Sequence, residues 1–380
     1  MLVENNLGFI HLCVQIIFSL GVALNGAIIV LGLFGASCLF FKNRNRYPNR
    51  ILSALLVVIS LWLIDTFLRI SGLYGQNPRL YFKPIYYSFA FGPLIYFYVR
   101  SIVNSEFKFA KIHLLHFIPV AIQAALYFFL SLQEYNYRHW YWQEVHLPWT
   151  YRIEFDGTFV SMAIYLFLSL RLLGGYRKWL TNSYSNLSTI NLNWLRVILI
   201  LMLLLCGQWF VEAILRDVYE NYYQYNYSVI ILGVLALVLA YKAFYQEGQE
   251  QIVYPKKEMA EPNQVETIDP ELLNIIQSRM KTHQDYLDPI LSLRVFASNC
   301  QMPSRTVSRY INQHLGQSFH QFVNDYRVQE FKRRAILKEE RGMTLEGIAY
   351  DCGFNSKATF NRIFKASTGL TPSQYVSKHA

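Results

Sequence analysis

The sequence is poor in charge, poor in cysteine and without the common catalytic motifs. Asp, Glu, Lys and Arg make up only 16% of its 380 residues, while 53% are hydrophobic, a balance too apolar for one soluble domain. The five cysteines include no CxxC pair and no metal-ligand spacing, so we expect packing residues and no metal site. A glycine-rich nucleotide loop, an HExxH motif and a nucleophile elbow are also missing. We therefore expect no enzyme, no catalytic residue and no cofactor.

Long apolar runs fill the first two thirds of the chain. A helix needs about 20 apolar residues to cross hydrocarbon, because no backbone amide can be left unpaired there. Seven runs meet or approach this length, and the fifth is the shortest: Gly8–Phe41, Ile51–Leu73, Pro84–Val103, Ile112–Leu132, Thr158–Leu173, Leu195–Leu215 and Tyr227–Phe244. They predict a domain of seven transmembrane helices over residues 1–245 in an all-α, polytopic protein.

Basic residues between the runs favour one orientation. Those on one side are Lys42, Arg44, Arg46, Arg50, Arg100, Lys108, Lys111, Arg171, Arg177, Lys178 and Arg196. Those on the other side are fewer: Arg79, Lys83, Arg138, Arg152 and Arg216. Because the cytoplasmic side of a membrane protein carries the excess of Lys and Arg, the N-terminus is expected outside and everything after Lys242 in the cytoplasm. We expect a multi-pass protein of the bacterial cytoplasmic (inner) membrane.

Ionisable residues inside the apolar runs are candidates for a signal or ligand site, since charge is costly at that depth. Asp65 and Arg69 are four residues apart on one helical face, where they either neutralise each other, the commoner arrangement, or contact a ligand. Glu212 has no basic residue near it before Arg216. It is the better candidate for a polar ligand.

Aromatic residues crowd the predicted outer loop from Gln133 to Asp156. Trp140 and Trp142 lie there among tyrosines, histidines and acids. Aromatic faces of this kind stack on a sugar or another small ligand, but Trp and Tyr also gather at headgroup depth in most membrane proteins. The interfacial belt is the interpretation we favour, with ligand binding as the alternative.

The composition changes after the last apolar run. Residues 246–268 are rich in Glu, Gln and Lys and are interrupted by Pro255 and Pro262, which predicts a solvated cytoplasmic linker. A second domain over residues 269–380 follows. Within it, two helix-turn-helix patterns lie at about residues 292–314 and 344–366, with a long amphipathic helix between them.

Each pattern predicts a capped helix, a turn and an outward-facing polar stripe. In the first, Ser292 caps a helix from Leu293, Ala297 allows a close crossing, and the next helix runs from about Ser304 to His314. Its outward stripe is Arg305, Ser308, Arg309 and Asn312. In the second, Thr344 and Ser356 are caps and Gly353 makes the turn. The inward residues there are Phe360, Ile363 and Phe364, and the outward ones are Lys357, Ala358, Asn361, Arg362 and Lys365.

Acidic residues avoid these stripes. The segments from Pro303 to Asn324 and from Cys352 to Ala380 contain no Asp or Glu. A surface that faces a polyanion and releases its counterions requires this distribution. Arg pairs with guanine, Asn with adenine, and helix N-termini favour phosphate oxygens, so the stripes predict double-stranded DNA as the partner.

These residues resemble the AraC/XylS family of transcription regulators. The likeness covers roughly Leu272–Tyr375 and is closest over Ile348–Lys365, read as IAYDCGFNSKATFNRIFK. In that family two helix-turn-helix units on a connecting helix place recognition helices in successive major grooves. The resemblance implies DNA contacts from Arg305, Ser308 and Arg309 and from Lys357, Asn361 and Arg362. We expect Asn312 and Lys365, on the same stripes, and Ser356, at the start of the second recognition helix, to contact DNA as well. Two positions depart from the pattern: Gln301 stands where the first turn often has glycine, and Phe331 where the connecting helix usually has a small residue. The apolar part resembles a subgroup with seven-helix membrane domains.

The interpretation that unites both parts is a membrane-embedded transcription regulator, in which an extracytoplasmic or intramembrane signal changes promoter binding. Two alternatives stay open: a transporter or other membrane protein with an autoregulatory DNA-binding tail, and a regulator whose membrane domain only anchors and dimerises. Ionisable residues at depth are sparse for an ion-coupled pump. The expected partners are promoter DNA, the lipid bilayer and an unknown small-molecule or envelope signal, with RNA polymerase and a second copy of the chain as further candidates.

Overall fold

The fold is helical throughout the part of the chain that the structure, a computed structural model, describes: residues 16–187, 191–219, 227–246, 270–336 and 343–379. No strand occurs in these residues, which confirms the all-α prediction. The chain divides into two compact units, one of Met1–Leu173 with Asn193–Val253 and one of Gly174–Leu192 with Tyr254–Ala380. The predicted linker lies outside the described residues apart from Gln246.

The helices of the first unit are mostly long and apolar. Ser19 caps the first of them, since its hydroxyl accepts from the Val22 amide at 3.3 Å. In chain order the helices are α1 (Leu20–Phe41), α2 (Arg46–Ile70), α3 (Leu73–Gln76), α4 (Phe91–Val103), α5 (Ile118–Ser131), α6 (Tyr135–Tyr141), α7 (Tyr151–Ser183), α8 (Asn193–Tyr219) and α9 (Tyr227–Tyr245). The last turns of α7 belong to the second unit.

Six helical stretches among the described residues are long and apolar enough to cross a membrane. They are Leu20–Phe41, Arg46–Ile70, Lys111–Ser131, Tyr135–Ser183, Asn193–Tyr219 and Tyr227–Tyr245. The predicted run Pro84–Val103 forms a shorter apolar helix, Ser88–Val103, because residues 84–87 are not helical. The structure therefore supports a membrane-spanning region, but it does not confirm seven spans.

The prediction of a loop from Gln133 to Asp156 is wrong, because most of that segment is helical. A π-helix, Trp142–Thr150, joins α6 to α7, and together they form one helical stretch of 49 residues. The run expected to be shortest is thus part of the longest helix. Hydropathy missed its start because polar and aromatic side chains there, such as His146, Tyr151 and Glu154, are turned into the unit and buried.

Aromatic packing holds the middle of the first unit together. Trp62 of α2 stacks on Trp209 of α8 with ring centroids 5.2 Å apart, and Phe91 and Phe155 pack on the same pair. Both tryptophans are buried. Large stacked rings give such a contact geometric preference as well as buried area, so α2, α4, α7 and α8 share one aromatic core.

The second unit is built from short helices. They are α10 (Pro270–Lys281), α11 (Leu293–Asn299), α12 (Ser304–Gln313), α13 (Phe319–Ile336), α14 (Leu345–Asp351), α15 (Lys357–Thr368) and α16 (Pro372–His379). Three predicted caps are confirmed: the Ser292, Thr344 and Ser356 hydroxyls accept from the amides of Val295, Gly347 and Thr359 at 3.3, 3.0 and 3.2 Å. Each cap satisfies one of the amides that a helix leaves unpaired at its start.

The connecting helix α13 contributes to two separate hydrophobic cores. Phe319 and Phe322 pack in the core of the first helix-turn-helix unit, while Phe331 packs in that of the second. Phe331 is fully buried, with its ring centroid 4.6 Å from that of Phe360 and 5.2 Å from that of Phe364. The large residue at this position is therefore the centre of the second core.

Candidate DNA-binding interface

Helix α12 of the first helix-turn-helix unit has one buried face and one polar face. Val307 and Ile311 are buried and Arg305 is exposed, while Ser308, Arg309 and Asn312 are half-buried. The Asn312 amide nitrogen donates to the Ser308 carbonyl at 2.8 Å and lies 3.2 Å from its hydroxyl. Asn312 must therefore rotate away from Ser308 before it can read adenine with both of its polar atoms.

Helix α15 of the second helix-turn-helix unit presents its predicted stripe to the outside. Lys357, Asn361, Arg362 and Lys365 are all exposed, while Phe360, Ile363 and Phe364 are buried. These exposed residues recur at the spacing of one helical face. A groove that receives α15 would meet three basic side chains and one amide. Ser356 differs from them, because its hydroxyl caps the helix at Thr359, and we assign it a capping role.

An acid that the sequence does not place near this stripe reaches it in the fold. Glu346, on α14, forms an ion pair with Lys357 at 3.1 Å. A hydrogen bond from the Tyr350 hydroxyl, followed by the Lys357 interaction, lowers the pKa of Glu346. The acid-free segment starts only at Cys352, so a carboxylate folded back from upstream partly neutralises the first basic residue of α15.

The two turns solve the same backbone problem with different residues. Gly353 has φ of +89°, and a Cβ there would lie 2.6 Å from the Tyr286 carbonyl oxygen and 2.9 Å from Arg327 Nε. Glycine is thus required twice, for its backbone angle and for the close approach. In the first helix-turn-helix unit Gln301 takes φ of +56°. Gln301 therefore forms the turn although glycine is common at this position. The left-handed backbone costs about 1–2 kcal/mol for a residue with a Cβ.

Three of the predicted signal residues, Asp65, Arg69 and Trp142, lie together in the apolar first unit of the chain. Arg69 Nη2 and Asp65 Oδ2 are 3.0 Å apart, and the Tyr74 hydroxyl donates to the other Asp65 oxygen. The Arg69 guanidinium also lies over the Trp142 ring, 5.7 Å from its centroid. The self-paired couple is therefore the arrangement in the structure, and Trp142 packs against it instead of extending from a loop.

Glu212 and Trp140 lie outside this group. Glu212 is buried, and its Oε1 accepts from Gln208 Nε2 at 2.9 Å and from the Ser228 amide at 3.1 Å. Arg216 does not pair with Glu212 but with Asp156 and Asp217, at 3.1 and 2.8 Å. Trp140 is 50% exposed.

Sequence reasoning missed Glu154, which lies with Asp65, Arg69 and Trp142 around one cavity. Its position between Gln133 and Asp156 predicts an exposed loop acid, but Glu154 is only 6% exposed. A helical stripe was available as a signal: Tyr151, Glu154, Phe155 and Thr158 recur at i, i+3, i+4 and i+7, and all four are buried.

A second missed feature is Ser185, just after α7, which is fixed within the second unit. Its hydroxyl donates to the Leu291 carbonyl at 2.6 Å. Its own carbonyl accepts from Asn324 Nδ2 at 3.0 Å and lies 2.6 Å from His320 Nδ1. Asn324 and His320 belong to α13, so a segment between two apolar helices contacts the helix that joins the two helix-turn-helix units.

Comparison with known families gives a match over the second unit alone. Residues 296–378 match a family described as a helix-turn-helix domain, of the AraC type, which covers about a fifth of the chain. The chain thus carries an AraC-type DNA-binding domain, and the match supports an AraC/XylS-type regulator. This DNA-binding family is not typically enzymatic. No curated protein and no solved structure matches the chain.

Proposed function

We propose that the protein is a membrane-embedded, sequence-specific transcription regulator of the AraC/XylS type. The observation that carries the proposal is the pair of helices α12 and α15, each with basic residues on its outer face, within a domain that matches the AraC type. The two hydrophobic cores, one containing Phe319 and the other Phe331, pack α12 and α15 against the connecting helix α13 and support a fixed pair of helices. Rigid recognition helices are what two successive major grooves require.

The exposed residues of α15 suggest a division of roles. Arg362 and Asn361 lie on the central turns of the helix, where bidentate contacts to guanine and adenine edges discriminate sequence. Lys357 and Lys365 suit phosphate contacts, which position the protein and add affinity for any sequence. On α12, Arg305 and Arg309 take the corresponding positions.

The first unit is proposed as a multi-pass domain of the cytoplasmic membrane with an outside N-terminus, over residues 1–245, with a linker at 246–268 and the DNA-binding domain at 269–380. An odd number of spans is needed to bring that domain to the cytoplasm. Ser88–Val103 would be the seventh span. Its 16 residues reach about 24 Å at 1.5 Å per residue, and a short helix is accommodated by local thinning of the bilayer.

Signal coupling is proposed to pass through Ser185. The residue lies two positions after the end of α7 and bonds to Leu291, His320 and Asn324. Coupling needs an element with two states of different DNA affinity, and a contact that forms or breaks at Ser185 is such an element. Regulatory contacts with RNA polymerase and dimerisation rest on the family resemblance alone.

The experiment is chromatin immunoprecipitation of the full-length protein in its own cells. We expect a small set of promoters with a common sequence, and we expect occupancy to be lost in the double variant Arg309→Ala, Arg362→Ala. The matched control is Lys281→Ala, which removes an exposed lysine of α10 outside both helix-turn-helix units. Absence of specific occupancy while the protein is present in membranes would refute the proposal.

The coupling part has its own readout in the same cells. Ser185→Ala is expected to change the response of the occupied promoters to growth conditions. If this variant and a chain with an unrelated membrane anchor both regulate like the parent, the membrane domain only anchors.

A further inference from the structure

A small cavity in the first unit is walled by aromatic rings. Its volume is about 40 Å³, which is room for about three water molecules. Trp62, Tyr86, Trp142 and Tyr151 contribute rings to it, and Asp65 and Glu154 contribute carboxylates. The cavity thus combines π faces with negative charge.

Glu154 has hydrogen bonds but no counter-ion within the part of the chain that the structure describes. Its Oε1 accepts from Gln123 Nε2 at 3.3 Å and its Oε2 from the Tyr127 hydroxyl at 2.9 Å. Both donors are neutral, and no ion pair to Glu154 occurs among the described residues. A carboxylate this deeply buried is costly unless a positive charge balances it. The missing partner at Glu154 points to a cation.

The walls of the same cavity already hold one cation. The Arg69 guanidinium lies 5.4 Å from the Tyr74 ring centroid and 5.7 Å from that of Trp142. Its charge is balanced by Asp65, at 3.0 Å. Aromatic faces attract cations through their quadrupole, and more strongly where water is excluded. Asp65 is therefore committed to Arg69, while the charge of Glu154 is left for another cation.

We propose that this cavity binds a small organic cation, an ammonium or guanidinium group, between aromatic faces and with Glu154 as its counter-ion. An anion would be repelled by the two carboxylates. A neutral sugar would leave Glu154 uncompensated. The binding site stands on this geometry alone, and its role as the signal site rests on the proposed function.

The test is a titration of the full-length protein in maltoside detergent with methylammonium chloride and, separately, tetramethylammonium chloride. Sodium chloride at the same concentration controls for ionic strength. We expect saturable quenching of tryptophan fluorescence, because Trp62 and Trp142 line the cavity, together with a rise in Tm that follows the same concentration dependence.

Glu154→Gln is the decisive variant, because it keeps the size of the side chain and one of its two acceptor oxygens but removes its charge. We expect at least tenfold weaker binding, with an unliganded Tm equal to or above that of the parent, since a buried uncompensated charge is lost. The matched control is Glu144→Gln, an exposed acid of the π-helix, which should bind like the parent. Unchanged binding in Glu154→Gln would overturn the proposal.

Trp142→Phe keeps the test decisive if Glu154→Gln does not fold. It retains an aromatic ring with a weaker attraction for cations, so binding should weaken several-fold while the carboxylate remains. Quenching that is identical in sodium chloride would be an effect of ionic strength alone. A Tm that responds to pH and to no organic cation would show that Glu154 binds only a proton. Either result overturns the proposal.

Binding of promoter DNA, measured on the same purified samples, separates this inference from the proposed function. If promoter DNA binds and no organic cation does, only the cavity proposal fails. If the cation binds and no promoter DNA does under any condition, the cavity proposal stands and the proposed regulation fails.

Discussion

The Arg327 guanidinium donates to the Ser185 hydroxyl at 3.3 Å. Arg327 is itself 1% exposed, and it also donates to the carbonyls of Tyr286 and Asp288, both at 2.7 Å. Its guanidinium lies over the ring of Phe354, in the turn of the second helix-turn-helix unit. Burial lowers the pKa of Arg327 to about 10, so it stays charged at neutral pH. One buried cation thus connects Ser185 with two parts of the DNA-binding domain. These are the segment before the first helix-turn-helix unit and the turn of the second helix-turn-helix unit.

Removing the Ser185 hydroxyl should loosen this connection. Ser185→Ala deletes the bond to Leu291 and the acceptor for Arg327, and each buried bond contributes about 0.5–1.5 kcal/mol. We expect amide hydrogen exchange at Ser185, whose N–H donates to Leu291 at 3.2 Å, to become faster in the full-length protein. The control is Thr181→Ala, whose hydroxyl bonds locally to Lys178 at an exposed position. Equal exchange in both variants would contradict the prediction.

The same contact should weaken in acid. Burial, and then the nearby Arg362 and Arg327, lower the pKa of His320 below 6.5. The undocked state then binds more protons than the docked state as pH falls, so the contribution of the contact is complete above pH 6.5 and is lost as pH falls through the lower pKa of docked His320. The protection factor for hydrogen exchange at Ser185, which allows for the slower intrinsic exchange of amides in acid, should fall from roughly pH 8 to pH 5. His320→Gln should remove that dependence, and an unchanged profile in this variant would assign it to another group.

The DNA-binding domain was predictable because its signals are local. Caps such as Ser292 and Thr344 act within three residues of their own position, and the inward positions on α12 and α15 follow the helical period. Ser185 and Glu154 could not be found in the same way. Ser185 bonds to a residue 106 positions away and Glu154 to one 31 positions away. Such contacts depend on how helices assemble, which periodicity does not specify.

Replacing Gly353 should disrupt the second helix-turn-helix unit. A Cβ at this position would lie 2.6 Å from a backbone carbonyl oxygen that cannot move independently. Adding the clash to the strain of a positive φ, we expect Gly353→Ala to cost about 3 kcal/mol or more. Gly316→Ala is the control, since Gly316 also has positive φ but nothing lies within 4 Å of its Cβ position, and strain alone should cost about 1–2 kcal/mol. Equal losses in denaturant unfolding would mean that the close approach is unimportant.

Base-reading residues should affect specific DNA more than random DNA. Arg362 is exposed on α15 and Arg309 is half-buried on α12. Each change to alanine should weaken binding to the operator by about 1–3 kcal/mol if the guanidinium pairs with a base. The measurement is a binding titration of the full-length protein on operator and random duplexes at fixed salt. Equal losses on both duplexes would make these residues phosphate contacts.

Neutralising Glu346 should strengthen DNA binding. Its carboxylate pairs with Lys357 at 3.1 Å, so Lys357 must leave Glu346 before it contacts a phosphate. Glu346→Gln removes that competition and a repulsive charge, and should increase affinity several-fold on any duplex while the slope of log K against log salt changes little, because Lys357 neutralises the same phosphate in both proteins. Lys357→Ala should flatten the slope by about 0.9, for one phosphate fewer. In the double variant the gain from Glu346→Gln should largely vanish, because the two effects pass through one ion pair. A gain that persists without Lys357 would show that Glu346 acts by repelling DNA directly.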